Sequence, residues 1–232
     1  MEDSKKLFLL DAYALIYRGY YAFIKNPRIN SKGTDTSAIL GFMNSLLEII
    51  RTQNPDYLAV AFDKGGSITR SKMFTEYKSN RDKTPEPILV AIPYIKDILN
   101  AMKIPILEKE GYEADDVIGT VAKDAENNNF KVFMVTPDKD FAQLVSDNVF
   151  LCKPARMGNS MEIWGVNEVK EKFEVEDPEQ VIDYLGMMGD SVDNIPGLPG
   201  VGDKTAKKFL KQYGSLENLL KNSHEITGKL GE

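Results

Sequence analysis

Hydrophobic and polar positions along the chain alternate between two rhythms. Three short apolar runs, "KLFLLDA" (6–12), "DYLAVAFD" (56–63) and "FKVFMVTPDKD" (130–140), read as strands buried on both faces, and "IPIL" (104–107) is a brief fourth. Between them the spacing turns helical. Ile39, Phe42, Met43, Leu46, Leu47 and Ile50 line one face of 34–53, and "EPILVAIPYIKDILNAM" (86–102) reads as a helix despite Pro93, with Pro85 or Pro87 near its start. A further helix opens in "YEADDVIGTVAK" (112–123), where Val117, Ile118, Val121 and Ala122 follow the acids. Strands separated by crossover helices predict an α/β fold with a mostly parallel central sheet flanked by helices. Near the C-terminus, "IPGLPGVGDKTAKKFLKQYGS" (195–215) places Ala206, Phe209 and Leu210 at helical spacing behind a tight Gly200-Val201-Gly202 turn. Internal repeats and low-complexity tracts are absent from the sequence.

Composition narrows the chemistry. A chain of 232 residues, 42% hydrophobic, can bury a full core. No signal peptide is expected, because Asp11 interrupts the apolar stretch after Lys6, and no apolar run approaches a membrane span. The single cysteine, Cys152, excludes an internal disulfide and suits a reducing compartment, so a cytoplasmic location is expected. The one histidine, His224, excludes histidine-based triads and His-rich zinc sites. Any chemistry must then come from carboxylates, lysines, hydroxyls or a bound metal.

The carboxylates are unevenly placed. Three strands each end in aspartate, at Asp11, Asp63 and Asp138, and in an open parallel sheet ligands bind outside the carboxyl ends of the strands. The helix after 112 starts at that same edge with Glu113, Asp115 and Asp116, more acid than a helix dipole calls for. Asp140 lies just beyond Asp138, and "MGDSVDNIPG" (188–197) adds Asp190 and Asp193. Two carboxylates ~4 Å apart repel by roughly 4 kcal/mol at an effective dielectric near ~20. Either some are protonated or divalent cations bind them. Oxygen ligands without histidine or cysteine favour Mg²⁺ or Mn²⁺ over zinc.

Basic segments accompany the acids. Lys204, Lys207, Lys208 and Lys211 follow the glycine turn, a helix-hairpin-helix pattern in which backbone amides at a helix start approach a DNA phosphate. Such contacts hold a duplex without reading its sequence. Directly after Asp63, "KGGSITRSKMFTEYKSNRDK" (64–83) carries Lys64, Arg70, Lys72, Lys78, Arg81 and Lys83 against Glu76 and Asp82. The net charge of −6 would become +3 without the nine acids named above, so the overall acidity hides a basic remainder suited to a phosphodiester substrate.

In order along the chain, "LFLLDAYALIYRGYYA", "PDYLAVAFD", "EYKSNR", "EGYEADDVIGTVA", "VTPDKDFAQLVSDNV" and "GMMGDSVDNIPGLPGVGDKTA" resemble the 5′-nuclease domain of the flap endonuclease family found at the N-terminus of bacterial DNA polymerase I. The resemblance runs nearly the whole length. It implies a PIN-like nuclease core over 1–165, including a helical arch at about 64–86, and a helix-hairpin-helix DNA-binding region over 166–232 that is truncated at its C-terminus. It also implies a two-metal, Mg²⁺- or Mn²⁺-dependent 5′-3′ exonuclease and flap endonuclease, active on duplex DNA with a 5′ flap or nick and on RNA primers in replication and repair. The implied protein is a monomer of the bacterial cytosol, with polymerase domains C-terminal to it in the full-length chain. By the resemblance, Asp11, Asp63, Glu113 and Asp115 lie nearer one metal and Asp138, Asp140 and Asp190 nearer another, with Asp116 and Asp193 acting through water. Tyr17 stacks on a base beside the scissile phosphate, Lys78 and Arg81 belong to the arch, and Arg70 is a kept position of it. The Gly200-Val201-Gly202 turn binds duplex, and the family often holds K⁺ there. Pro137 stands where glycine is common in the family, and "GGSITRSKMF" is less aromatic than usual.

The mechanism expected is metal-assisted hydrolysis in which Asp138 and Asp140 serve the ions while Lys78 and Arg81 offset charge on the phosphate. The alternative is a non-catalytic module that binds branched DNA, its acids holding structural ions. An aspartate-nucleophile phosphatase is disfavoured, because position 13 is tyrosine where such an enzyme places a second aspartate.

Overall fold

The computed structural model describes residues 4–154 and 161–226. Its first stretch holds β1 (Lys6–Asp11), α1 (Ala12–Phe23), α2 (Ser37–Gln53), β2 (Tyr57–Ala61), α3 (Ile68–Met73), α4 (Glu86–Ala101), β3 (Ile106–Leu107), α5 (Ala114–Asn127), β4 (Lys131–Val135) and β5 (Val149–Pro154). Then come β6 (Met161–Trp164), α6 (Val166–Phe173), α7 (Gln180–Met188), β7 (Gly189–Asp190), β8 (Ile195–Pro196), α8 (Asp203–Tyr213) and α9 (Leu216–Lys221). These elements fall into two units. The first comprises Met1–Ile68, Asp82–Asp138 and Asn148–Ile163, and the second Thr69–Arg81, Lys139–Asp147 and Trp164–Glu232.

The first unit is built on a six-stranded sheet of order β3-β2-β1-β4-β5-β6, in which β3, β2, β1, β4 and β5 run parallel. Phe8, Leu9 and Leu10 are buried in succession, as a strand covered on both faces requires. The chain lays β2 and β3 on one side of β1, then returns to place β4 on the other. Leu10 thereby pairs with Val60 of β2 and Val135 of β4. That reversal of strand order makes the carboxyl edge at β1 a topological switch point, where α/β sheets bind ligands. Phe42, Leu46 and Ile49 of α2 and Ile88, Ala91, Ile95 and Leu99 of α4 share one core with the sheet. The strands and helices expected from the hydrophobic pattern are all present.

Several elements escaped that pattern, among them α1, β5 and β6. α1 is rich in aromatics, with Tyr13, Tyr17, Tyr20 and Tyr21 scattered around it, so no single apolar stripe stands out. β5, as long as β1, and the four-residue β6 continue the sheet beyond β4. Pro93 does not interrupt α4, because it lies on the exposed side, where the carbonyl it leaves without a donor is open to water.

The second unit is helical, with the small antiparallel pair β7–β8 and a 3-10 helix at Lys139–Leu144. Val169, Phe173, Val181, Tyr184, Met187, Ala206, Phe209 and Leu210 are buried, and the Phe173 ring meets Trp164 and Tyr184 edge-on. Its main stretch begins at Trp164. Residues 69–81 also belong to the second unit, where Asp193 and Asn194 bond to them.

α1 and α2 cross at Gly19 and Gly41 with no room for a side chain. A Cβ on Gly41 would stand 2.2 Å from the Gly19 Cα. Overpacking a backbone contact of this kind forces the helices apart. Gly41→Ala is expected to lower stability by about 2 kcal/mol or more, read from urea denaturation. A wild-type denaturation midpoint for that variant would contradict the close crossing.

Candidate active site

Asp11 is the last residue of β1 and the N-cap of α1. Its Oδ1 accepts from the Ala14 amide at 3.1 Å, and its Oδ2 accepts from the Thr136 hydroxyl at 3.0 Å. On one side of β1, Asp63 lies two residues past β2, and its Oδ1 accepts from the Ala114 amide at 2.6 Å. That bond ties the β2 end to the first turn of α5. There Glu113 is the buried N-cap, and its amide donates to Asp116 at 3.1 Å in a capping box. The Asp116 amide in turn donates to Asp115 at 2.8 Å. On the other side of β1, Asp138 follows β4, and its amide donates to the Thr136 hydroxyl at 3.3 Å. Neighbouring parallel strands have therefore brought Asp11, Asp63 and Asp138 to one edge, with the acid-rich start of α5 bonded to Asp63.

This crowding is visible in the acidity of Asp11. Burial, aided by the negative charges of Asp63 and Asp138, pushes its pKa up to about 6, against the opposing pull of the Ala14 and Thr136 hydrogen bonds. An all-oxygen donor set that raises the pKa of its own member fits a hard divalent cation. Among the described residues, no group of three acids is closed tightly enough to grip an ion as placed. Each of Asp11, Asp63 and Asp116 accepts from a backbone amide, which partly offsets its charge.

Several contributors were not anticipated. Thr136 is fully buried and bonds to acids from two strand ends, a role hidden inside "VTPD". Next to Asp63, Glu108 pairs with Lys96 at 2.6 Å and Lys64 at 3.2 Å, and these lysines hold its carboxyl below the usual range. Tyr17 donates its hydroxyl to Thr84 at 3.2 Å, which fixes the ring expected to stack on a base.

In the second unit, Asp140 lies in the 3-10 helix, and Asp190 in β7 accepts from the Val192 amide at 2.8 Å. Asp193 pairs with Arg81, and its other oxygen lies 3.7 Å from the Lys78 ammonium, so the two expected arch cations meet one acid. Arg70 sits in α3, part-exposed. Gly200 has φ +77°, a left-handed conformation that glycine supplies without strain. Val201 donates to the Leu198 carbonyl at 3.0 Å, closing the turn, and Gly202 is the N-cap of α8. Among the described residues, nothing lies within 4 Å of a Cβ built on Gly202, which leaves the approach to the helix start open. Lys204 and Lys208 are exposed on α8. Lys207 differs from expectation. Its side chain is 17% exposed and pairs with Asp203 at 3.2 Å and Glu174 at 3.3 Å, so carboxylates already engage the charge expected to meet phosphate.

A resolvase-like α/β core whose switch-point edge is lined with acids, followed by a helical unit, defines a nuclease class. A family model described as "5'-3' exonuclease, N-terminal resolvase-like domain" matches residues 6–174, and its companion, "5'-3' exonuclease, C-terminal SAM fold", matches 176–232. The chain belongs to the 5′-3′ exonuclease family. It is 45% identical to the 5'-3' exonuclease of Aquifex aeolicus, over 94% of this chain and 73% of that protein. It is also 43% identical to DNA polymerase I of Bacillus subtilis, over 99% of this chain and 26% of the polymerase. The chain thus spans about a quarter of the polymerase. Among solved structures, the fold is similar to T5 5'-exonuclease with bound divalent zinc (TM-score 0.78, 23% identity, 97% of this chain and 81% of that one). It also resembles the catalytic core of Rad2 in complex with DNA substrate (TM-score 0.61, 18% identity, 97% and 70%).

The Asp11 acidity has a direct consequence for stability. A carboxyl whose pKa is raised by folding costs the folded state nothing below its unfolded value near 3.8, and an increasing amount as pH climbs toward 6. Allowing for partial exposure, the full cost above pH 6 is on the order of 2 kcal/mol. Metal-free Asp11→Asn is therefore expected to melt several degrees above wild type at pH 7.5, the gap closing toward pH 4. Calorimetry in chelator reads this, and a lower melting temperature for the variant at pH 7.5 would contradict it. At the hairpin, Gly202→Ala is expected to keep the wild-type melting temperature while weakening duplex binding about tenfold in a fluorescence titration. Unchanged binding would remove the α8 start from the DNA interface.

Proposed function

We propose that the chain is a Mg²⁺-dependent, structure-specific 5′-nuclease that hydrolyses phosphodiester bonds of 5′-flapped or nicked duplex DNA and of RNA primers, with Mn²⁺ as a substitute. The observation that carries the reading is the set of aspartates at the ends of three adjacent parallel strands, joined by the acid-rich start of α5. The residues that would hold ions are Asp11, Asp63, Glu113 and Asp115 for one, and Asp138, Asp140 and Asp190 for another, with Asp116 and Asp193 acting through water. Two or three divalent ions would satisfy this set, and the Gly200-Val201-Gly202 turn would be the place for a K⁺. When bound, the divalent ions would supply a water of lowered pKa and stabilise the leaving 3′-oxygen.

The remaining steps belong to the protein. Thr136 orients the carboxylate of Asp11 and the turn into Asp138 through its buried hydroxyl. Lys78 and Arg81 offset charge on the scissile phosphate, exchanging their contact with Asp193 for the substrate. Tyr17 supports the adjoining base, and Arg70 helps guide the single strand. Gly200, Val201 and Gly202, with Lys204 and Lys208, hold the duplex by its backbone, and Lys207 steadies α8 through Asp203. The products are a 5′-phosphate and a 3′-hydroxyl. The likeness to polymerase I further suggests a monomeric module of the bacterial cytosol, joined to C-terminal polymerase domains and serving replication and repair. Among the described residues, no helix is long and apolar enough to cross a membrane.

Cleavage of a 5′-flapped duplex, its isolated single strand and a matched RNA, each with Mg²⁺ and with chelator, tests the reading. Mg²⁺-dependent cutting near the flap junction, with little on either single strand, is the expected result. Asp138→Asn is expected to slow it about 100-fold or more while sparing duplex affinity. Tight binding by wild type with no cutting in Mg²⁺ or Mn²⁺ would favour a non-catalytic branched-DNA module instead.

A further inference from the structure

Lys78 stands in a conformation that lysine rarely adopts, with φ +57°. Left-handed backbone at a β-carbon-bearing residue is strained, and it persists only where surrounding contacts over-determine it. Here the contacts come from a loop more than 110 residues along the chain, within the same unit. The Lys78 amide donates to the Asp193 carbonyl at 2.9 Å. The Tyr77 hydroxyl donates to the Asp193 carboxylate at 3.2 Å, and the Lys78 ammonium lies 4.9 Å from the centre of the Tyr77 ring. The Asn80 side-chain amide donates to the Ser191 carbonyl at 2.8 Å. Asn194 spans the turn itself, its side-chain amide donating both to the Glu76 carbonyl at 2.8 Å and to the Ser79 hydroxyl at 3.1 Å.

The loop that supplies these contacts is held rigidly. Gly189 pairs with Pro196 and Asp190 with Ile195. A Cβ on Gly189 would lie 2.3 Å from the Gly197 amide nitrogen, and one on Gly197 2.4 Å from the Met188 backbone, so the loop base closes backbone on backbone. Asn194 is itself left-handed, at φ +59°, a conformation asparagine tolerates better than most residues. The 76–81 turn is polar and mostly exposed, with no apolar anchor of its own among the described residues. Its own backbone bonds, Tyr77 to Phe74, Ser79 to Glu76 and Arg81 to Lys78, close the turn locally, and the clasp from 191–194 adds contacts from a distant loop that bear on Lys78.

We propose that Asn194, seconded by Tyr77 and Asn80, is a positioning residue for the nuclease reaction: it fixes the left-handed turn at Lys78 and thereby the places of the Lys78 and Arg81 cations. The inference rests on the role given above to those two cations. Asn194 would act through them and touch neither substrate nor metal. Pre-positioned charge accelerates a reaction because its ordering is completed before the transition state, so losing the clasp should slow chemistry more than it weakens binding.

The test uses the whole chain, a 5′-flapped duplex and single-turnover cleavage in Mg²⁺, with duplex affinity measured separately in Ca²⁺. Asn194→Gly permits the left-handed backbone but removes the amide, and Asn194→Asp keeps size and replaces the donor with an acceptor. Both are expected to slow single-turnover cleavage about tenfold, with affinity and melting temperature close to wild type. In a Lys78→Ala, Arg81→Ala background assayed over long times in Mn²⁺, Asn194→Asp is expected to change the remaining rate less than about twofold. Wild-type rates in both single variants, or an undiminished tenfold loss without the two cations, would overturn the positioning role and leave the nuclease reading intact. Wild-type protein that fails to cut would overturn both.

Discussion

Asp11 occupies the end of a central strand whose two neighbours run on to aspartates just beyond their ends, and its negative charge is opposed by Asp63 and Asp138. Burial is the larger cause of its raised pKa, and that repulsion adds to it. Phe8, Leu9 and Leu10 bury β1 so completely that its end cannot move aside. The chain reversal that puts β4 beside β1 makes these aspartates neighbours. The start of α5 donates to Asp63, and the Thr136 hydroxyl donates to Asp11, so available hydrogen-bond donors are spent on keeping carboxylates in place. A fold meant only to be stable would not gather these charges, and their persistence points to a ligand that compensates them.

The second unit is organised by a different constraint, the placing of cations on a segment with little core. Lys78 and Arg81 gain their positions from Asp193 and its neighbours, and Lys207 is fixed by Asp203 and Glu174. Asp203 is engaged from the other side as well, by the Tyr184 hydroxyl at 2.7 Å, which with the lysine holds its carboxyl below the usual range. This network links α7 to the first turn of α8, the helix that Gly202 caps. Charged side chains here therefore fall into two groups, exposed ones such as Lys204 and Lys208 and paired ones such as Lys207.

Much of this was legible in the sequence because it follows from strand and helix periodicity. A buried parallel strand announces itself as an apolar run, and "FLLD", "VAFD" and "FMVTPD" display their terminal acids. The glycine turn before α8 was equally plain. What the sequence concealed depends on distant pairing. Nothing local in "EYKSNR" shows that Lys78 is left-handed or that Asn194 bonds to Glu76, because the partners are separated by 118 positions. The commitment of Lys207 to Glu174 and the bridging by Thr136 likewise require the tertiary fold. α1 was obscured by its four scattered tyrosines, which blur a helical stripe.

The central claim is that the crowded aspartates at the β2-β1-β4 edge form a site for divalent ions. Isothermal titration of the protein with Mn²⁺ near pH 6, repeated in buffers of different ionisation enthalpy and again at pH 8, tests it most directly. Because Asp11 is partly protonated near pH 6, binding there should release a fraction of a proton, and that buffer dependence should vanish by pH 8. Saturable binding with this pattern is the predicted result. An absence of saturable binding at either pH, or binding without proton release near pH 6, would contradict the account.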